Sequence, residues 1–303
     1  MSEAKGRFLV IRGGAIGDFI LTLPVFAAIR EMFPNAHIEV LGYPNVTPLA
    51  VAGGAVDGAR NIDARPLASY FIRKGESDAE LKDYFGSFHV VISYLYDPDG
   101  YFQNNVKSCG EIQFIQGPHR PGEDDGCHAA DVLLKPLEQI AIFVADSVPR
   151  LSGIEGGSDH HDVAVHPGSG SESKNWPIEQ WSVLLNALAQ ENKRVLVIGG
   201  EADGPRIKHL KEKLNHESIT YLECAPLTEV ASALRSCGSF IGHDSGIAHL
   251  AAALGLPGIS LWGETNQTIW APRSDSFKIL KGGAGLAGID ANQVLNSLKD
   301  PDA

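Results

Sequence analysis

The chain has 303 residues, of which 44% are hydrophobic and 20% are charged, and its formal net charge is −12. This composition is that of a folded globular protein and excludes a largely disordered chain. The negative charge argues against sequence-independent binding to nucleic acid or to an anionic membrane surface, because both require a positive field. The length predicts two domains of roughly 150 residues each.

The N-terminal residues carry no signal-peptide pattern, and the apolar run over residues 8–11 is too short to span a bilayer. We therefore expect a cytoplasmic protein with at most peripheral contact with the inner membrane. The four cysteines lack CxxC spacing, which predicts reduced thiols. His160 and His161 are adjacent, but no second pair of ligands stands at zinc spacing, so we expect no metal site.

In the first half of the chain, apolar runs bounded by Gly, Pro and Asn alternate with helical patterns. This alternation is typical of βαβ units and a mostly parallel sheet. It predicts strands at residues 8–11, 37–41 and 89–93, and helices at residues 19–32 and 129–142.

Residues 147–161 are rich in Ser, Gly, Asp and His, as is typical of a connection between domains. They predict an N-terminal domain over residues 1–155 and a C-terminal domain over residues 156–303. The alternation then resumes, with strands expected at residues 163–166, 194–198, 239–241 and 258–261, and helices at 178–190, 227–236 and 247–254. The predicted fold class is α/β, with two Rossmann-like doubly wound domains facing across a cleft.

The first strand leads into Gly13-Gly14-Ala15-Ile16-Gly17-Asp18. A dinucleotide-binding G-x-G-x-x-G motif would need glycine where Arg12 stands, and the Asp18 carboxylate would repel a phosphate at this helix start. A helix dipole stabilises an ionised carboxylate in the first turn, so Asp18 is a candidate general base. A simple helix cap is the alternative.

A second loop, at residues 166–177, lies between a predicted strand and a predicted helix. Ser169 and Gly170 supply small donors and Lys174 adds a positive charge, so the loop suits an anion such as a diphosphate. It lacks the GxxxxGK[ST] order of a Walker loop. A flexible loop with a surface lysine is the alternative.

The third loop is Gly242-His243-Asp244-Ser245-Gly246-Ile247, which again opens a helix after a strand. Free amides at a helix start bind anions, and Asp244 can accept hydrogen bonds from sugar hydroxyls. A G-x-S-x-G nucleophile is excluded because Asp244 occupies the serine position. After another predicted strand, Glu201 or Asp203 could bind a ribose hydroxyl, although solvated loop acids explain them equally well.

Together these stretches resemble the heptosyltransferase family, glycosyltransferase family 9, whose members transfer heptose from ADP-heptose to the inner core of lipopolysaccharide. Order and spacing agree over almost the whole chain. The resemblance is carried by Arg12, Gly17-Asp18 and Leu21-Thr22-Leu23-Pro24; by Pro167-Gly168-Ser169 and Lys174-Asn175-Trp176-Pro177; by 242–246 and 249–255; and by Trp262-Gly263-Glu264-Thr265 and Trp270-Ala271-Pro272.

The resemblance implies the B-type glycosyltransferase fold and an inverting transfer that needs no metal and no cofactor. It implies an ADP-sugar donor bound by the C-terminal domain and a glycan or glycolipid acceptor bound by the N-terminal domain. Asp18 matches the family's base, and Arg12 and Gly17 lie on the acceptor side. The residues assigned to the donor are Ser169, Gly170, Lys174, Glu201, Asp244, Ser245, Gly246 and His249.

The segment over residues 61–120 departs from the family pattern and leaves the acceptor open. It contains Asp97-Pro98-Asp99, which matches the D-x-D motif by which A-type transferases hold a metal, but the central proline favours a turn. Two other functions stay open. A sugar-nucleotide epimerase of similar shape would turn over without an acceptor, and a non-catalytic nucleotide-sugar sensor would bind without turnover.

Overall fold

The computed structural model describes residues 6–75, 78–123 and 126–299. The chain divides into two compact units, Met1–Gly153 and Ile154–Ala303. Neither helix nor strand occurs in the described segment 141–160, within which the predicted boundary falls. Within the described ranges, no helix has the length and apolar character that a membrane span requires.

Unit 1 is built on a five-stranded parallel sheet with the order β3-β2-β1-β4-β5. Its central strands are buried along almost their whole length, as expected for a parallel sheet covered on both faces. The strands are β1 (Arg7–Arg12), β2 (His37–Gly42), β3 (Gly58–Asn61), β4 (Val90–Ser93) and β5 (Gln113–Gln116).

The helices of unit 1 correct two predictions. The single helix expected at 19–32 is two helices, because Pro24 has no amide hydrogen to continue the first helix and instead lies in the first turn of the second. The helix expected at 129–142 turns into a 3₁₀ helix at Lys135–Ile140, which has Pro136 in its first turn. The α-helices are α1 (Ile16–Ile20), α2 (Leu23–Met32), α3 (Pro48–Ala52), α4 (Ala79–Gly86), α5 (Tyr101–Lys107) and α6 (Ala129–Leu134), and a second 3₁₀ helix spans Arg65–Phe71.

Unit 2 contains a six-stranded parallel sheet with the order β11-β10-β9-β6-β7-β8. Its strands are β6 (His161–Val165), β7 (Val195–Gly199), β8 (Ile219–Glu223), β9 (Cys237–His243), β10 (Gly258–Trp262) and β11 (Phe277–Lys281), followed by β12 (Gly283–Leu286). Its helices are α7 (Ile178–Gln190), α8 (Gly204–Lys213), α9 (Leu227–Arg235), α10 (Gly246–Ala253), α11 (Gln267–Trp270) and α12 (Ala291–Lys299), with 3₁₀ turns at Glu172–Lys174 and Glu201–Asp203.

Each unit has a core of its own and a point at which the strand order reverses. Phe85 and Phe102 are buried in the first core, and Trp176 and Trp181 in the second. The order reverses between β1 and β4 in unit 1 and between β6 and β9 in unit 2. Open parallel sheets bind ligands at the carboxyl ends of such strands. The loops after these four strands are therefore the positions at which the fold predicts ligand binding.

Candidate functional site

The loop after β6 is held in shape by an arginine from a different βα unit. Arg206, on α8, donates from Nε to the carbonyl of Pro167 (3.0 Å) and from Nη2 to the carbonyl of Trp176 (2.6 Å). Its Nη1 also donates to Glu172 Oε1 at 3.0 Å. The two backbone contacts fix both ends of the segment that carries Lys174. Sequence reasoning did not assign Arg206 to the site.

His243, the last residue of β9, fixes the same loop from the other side. Its Nε2 accepts a hydrogen bond from the backbone N–H of Trp176 (2.8 Å), and its Nδ1 donates to the carbonyl of Gly168 (3.0 Å). These partners assign the neutral tautomer protonated on Nδ1. Burial lowers the pKa of His243 to about 3. The ring is therefore uncharged at neutral pH and serves as a fixed spacer between β9 and the loop.

Two of the residues predicted to bind the donor meet directly. The Lys174 Nζ donates to Asp244 Oδ2 at 2.5 Å, although the two residues are 70 positions apart. The Asp244 side chain is 11% exposed and the Lys174 side chain 40% exposed. An ammonium group has three N–H donors, so two remain for another acceptor. Lys174 is thus held at the start of α10 with donors left for an anion.

His166 connects three loops at this edge of the sheet. Its Nδ1 lies 3.3 Å from the hydroxyl of Ser245, and its Nε2 lies 3.2 Å from Asp203 Oδ2. Burial alone would raise the pKa of Asp203, but the hydrogen bond and charge of His166 and the N–H of Gly200 outweigh it, so the pKa is lowered. A Cβ on Gly168 would lie 1.6 Å from Asp203 Oδ1, so this position requires glycine.

Ser245 is the N-cap of α10, and its hydroxyl accepts from the N–H of Ala248 at 3.4 Å. Gly246 begins the helix, and His249 lies one turn later and is buried. The amides at this helix start are available in the geometry that binds anions.

The remaining predicted donor residues lie on two loops. Ser169 donates from its hydroxyl to the carbonyl of Ser171 (2.6 Å), which curls the loop after β6, and Gly170 is exposed beside it. Glu201 is exposed on the 3₁₀ turn after β7, two residues before Asp203. The structure therefore places Glu201 at the same edge of the sheet, without a contact to the Lys174–Asp244 pair among the described residues.

In unit 1, Arg12 and Asp18 form a second cluster after β1. Arg12 donates from Nη2 to Asp18 Oδ1 (3.2 Å), and from Nη1 to the carbonyl of His119 (2.9 Å). Asp18 Oδ2 accepts from the N–H of Ala15 (3.0 Å), so this carboxylate also caps the start of α1. Asp18 keeps 30% of its side chain exposed, while Arg12 keeps 3%. Gly17, between them, lies within α1 and is half-buried.

Burial lowers the pKa of Arg12, while the charge of Asp18 opposes that shift. A guanidinium stays protonated in proteins, so the cluster pairs a fixed positive charge with a partly exposed carboxylate. The ring of Tyr94 lies 5.8 Å below the guanidinium, and the Tyr94 hydroxyl donates to the carbonyl of Leu133. One oxygen of Asp18 is held by Arg12, the other by Ala15, and the exposed edge of the carboxylate is open to a substrate.

The Asp97-Pro98-Asp99 segment after β4 is a turn. Both carboxylate oxygens of Asp97 accept backbone N–H groups, from Phe102 (3.3 Å) and Gln103 (2.9 Å), at the start of α5. Over the part of the chain that the structure describes, no group of three or more His, Cys, Asp or Glu is arranged to hold a metal ion.

With this geometry established, comparisons with known proteins identify the family. The family described as glycosyltransferase family 9 (heptosyltransferase) matches residues 134–287, which is more than half of the chain. The chain belongs to glycosyltransferase family 9. This confirms the family predicted from its motifs and makes it a heptosyltransferase-like glycosyltransferase.

Individual known proteins resemble the chain over most of its length. Lipopolysaccharide heptosyltransferase 3 from Escherichia coli (strain K12) is 24% identical over 291 residues, covering 86% of this chain and 83% of that protein. A glycosyltransferase family 9 structure from Veillonella parvula superposes with a TM-score of 0.77 at 18% identity, covering 99% of this chain and 98% of that one. The E. coli heptosyltransferase WaaC, solved with ADP, gives 0.77 at 17% identity, covering 97% and 99%. These likenesses confirm the predicted fold class to the extent of two parallel α/β domains and the B-type glycosyltransferase fold.

Proposed function

We propose that this family 9 protein transfers a sugar from a nucleoside diphosphate sugar, with ADP-heptose as the leading candidate, to a glycan related to the lipopolysaccharide core. Transfer inverts the anomeric centre and uses no metal. The observation that carries the proposal is the Lys174–Asp244 pair beside the start of α10, at the strand-order reversal of unit 2. The names of the relatives support the substrate pair, since one is a lipopolysaccharide heptosyltransferase and one was solved with ADP.

Unit 2 supplies donor binding and stabilisation of the leaving group. As the bond between the anomeric carbon and the phosphate oxygen breaks, its electron pair passes to the nucleoside diphosphate. The groups we assign to that growing charge are the two remaining donors of Lys174 and the amides at Ser245 and Gly246. Preorganised donors of this kind lower a barrier because they need no reorientation during the reaction.

Unit 1 supplies the base. The acceptor hydroxyl oxygen forms the new bond to the anomeric carbon and gives its proton to the Asp18 carboxylate. Arg12 holds Asp18 Oδ1 at 3.2 Å and is nearly fully buried, so the carboxylate has a defined orientation. Position and orientation of a general base contribute about 10²- to 10⁴-fold to a rate.

Asp18→Asn tests the base. We expect turnover to fall about 10²- to 10⁴-fold because the amide cannot accept the proton, while affinity for the donor stays within about twofold. Asp83→Asn, which removes an exposed carboxylate from α4 of the same unit, is the matched control. Equal turnover in the Asp18 variant and the unaltered protein would refute this role.

Calorimetric titration with ADP, UDP and GDP tests the donor. We expect ADP to bind most tightly and Lys174→Ala to weaken it by about 10-fold or more, since charged hydrogen bonds to phosphate are lost. Lys208→Ala removes a lysine that is 78% exposed on α8 and should leave ADP binding unchanged. A clear preference for UDP or GDP would remove ADP-heptose as the donor. Turnover in excess chelator tests the metal-free mechanism, and its loss would contradict it.

Product formation with and without an acceptor glycan separates transfer from the other functions. We expect new glycan only when both substrates are present. Conversion of the nucleotide sugar without an acceptor would instead indicate an epimerase. Binding without any turnover would indicate a sensor.

A further inference from the structure

A polar pocket lies at the carboxyl ends of β10 and β11, outside the residues assigned above. Its volume is about 660 Å³, within the range of small-molecule sites. The polar side chains that line it include those of Glu264, Gln267, Thr268 and Lys281, all of which are exposed. Among the described residues, the carboxylate of Glu264, the amide of Gln267 and the ammonium of Lys281 have no side-chain hydrogen-bond partner, so these groups are available to a ligand.

The strand register places this pocket next to the Lys174–Asp244 pair. Leu261 on β10 is aligned with His243 on β9, so Trp262 is level with Asp244. Trp262 is in turn aligned with Lys281 on β11. Neighbouring strands are about 4.8 Å apart, so the backbone at Lys281 lies about 10 Å from that at Asp244. That is the distance over which one ring of a ligand extends beyond a phosphate group.

The loop that forms the pocket is rigidly attached to the sheet. The buried Trp262 donates from its indole nitrogen to the carbonyl of Thr265 (2.6 Å). Asn266 caps α11 by accepting from the N–H of Thr268 (3.1 Å). A loop fixed by a buried indole and a helix cap can hold its exposed side chains in defined positions, as a selective site requires.

The chemistry of the pocket favours a neutral polyhydroxylated ligand. One carboxylate, from Glu264, and one ammonium, from Lys281, cancel, so the pocket does not select for a second phosphate. A carboxylate accepts from hydroxyls, an ammonium donates to them, and the amide of Gln267 does both. Sugar hydroxyls both donate and accept, and this mixture of groups matches them.

We propose that this pocket binds the sugar of the nucleotide-sugar donor and selects it by its hydroxyl groups. The proposal rests on the proposed function, because the phosphates must lie at Lys174 for the sugar to reach the pocket. It assigns sugar selection to the loop after β10, whereas the loop after β6 and the start of α10 bind the diphosphate. An acceptor sugar offers the same hydroxyl chemistry, and the experiment separates the two sources.

The test compares the affinities for a nucleoside diphosphate and its sugar conjugate, using ADP and ADP-heptose as probes on the full chain. In the unaltered protein, ADP-heptose should bind more tightly than ADP. Gln267→Ala should reduce that ratio by about 2- to 12-fold, as for one neutral hydrogen bond, and Glu264→Gln by about 10-fold or more. ADP alone should bind both variants within twofold of the unaltered protein. Gln190→Ala, an exposed amide at the end of α7, is the matched control and should change neither affinity.

Three results would overturn the proposal. The first is equal affinity of the unaltered protein for ADP and ADP-heptose, and the second is a ratio that Glu264→Gln and Gln267→Ala leave unchanged. The third is a rise in the KM of the acceptor with the donor ratio intact, which would assign the pocket to the acceptor. Failure of the unaltered protein to bind any nucleoside diphosphate is a different outcome, because it would refute the proposed function and this pocket's role together.

Discussion

Replacing Arg206 by alanine should loosen the loop after β6 and weaken donor binding, although Arg206 touches no residue predicted to bind the donor. The guanidinium donates to the carbonyls of Pro167 and Trp176 at 3.0 and 2.6 Å, and both residues are buried. A hydrogen bond from a charged group contributes about 1.5–3 kcal/mol, so the two together set an upper bound of about 3–6 kcal/mol. Water reaching the released carbonyls offsets part of that loss. We expect Arg206→Ala to lower the free energy of unfolding by about 2–4 kcal/mol.

Tryptophan fluorescence during urea unfolding measures this effect in unit 2, which contains the loop after β6. All four tryptophans of the chain, at positions 176, 181, 262 and 270, lie in unit 2. The fluorescence transition therefore reports unit 2 even if the two units unfold separately. Calorimetric titration with ADP measures the second consequence, for which we expect about 10-fold weaker binding, because the segment carrying Lys174 loses one anchor at each end and keeps those made by His243.

Glu172→Gln separates the backbone contacts of Arg206 from its surface ion pair. Glu172 is 84% exposed where it meets Arg206 Nη1, and exposed ion pairs contribute at most about 1 kcal/mol. Its other oxygen accepts from Asn175, a contact that glutamine can keep. If Arg206→Ala were as stable as Glu172→Gln and bound ADP equally well, the loop would not depend on Arg206 and the reasoning would be wrong.

Three further predictions test other contacts. Gly14 has φ of +97°, and a Cβ there would lie 2.9 Å from Asp18 Oδ2. Gly14→Ala should therefore lower kcat about tenfold or more while the ADP affinity measured by calorimetry is unchanged. An unaltered kcat would show that Asp18 is not displaced. A Cβ on Gly168 would meet Asp203, so Gly168→Ala should lower the free energy of unfolding in urea by about 1–3 kcal/mol. A Cβ on Gly170 meets nothing within 4 Å, so Gly170→Ala should lower it far less. Equal losses in the two variants would contradict the close approach at Gly168. The pKa of His243 is about 3 in the folded chain against an ordinary 6.5, so unfolding takes up a proton below that ordinary value. Its contribution to stability is therefore complete above pH 6.5 and is lost as pH falls toward 3, by up to about 1.4 kcal/mol per pH unit. His243→Asn should lower the proton uptake on unfolding by nearly one proton at pH 5 and by only about a quarter of a proton at pH 7, and an unchanged uptake at pH 5 would refute the assignment.

Much of the fold follows from local patterns in the sequence. The helix predicted at 178–190 has those bounds, because Pro177 marks its start and its apolar residues recur on one face. The prediction omitted β3 and β5, at the two edges of the first sheet, β8 and β11, at the two edges of the second, and the short β12. β3 spans Gly58–Asn61 and carries no large apolar side chain, so its residues give no hydrophobic pattern from which to predict a strand.

The candidate site could be predicted only where its residues have side chains suited to binding or catalysis. Lys174 and Asp244 were assigned to one edge of the sheet because each follows a parallel strand, and they lie 2.5 Å apart. Arg206 and His243 bind backbone atoms of a distant loop, and such contacts require no particular side chain in the partner. No spacing or composition rule could reveal them, so they are known only from the three-dimensional structure.

The buried Trp176 closes the loop after β6 by a contact that bears on how the protein is made. Its indole nitrogen donates to the carbonyl of Ile289 at 2.9 Å, across 113 positions of sequence. Domains generally fold from the N-terminus during synthesis, so unit 1 can be complete while unit 2 still lacks this contact. The segment that carries Lys174 then gains its last anchor only after residue 289 has left the ribosome. A nascent chain would therefore complete unit 1 before the loop after β6 is fixed, so the two units would mature one after the other.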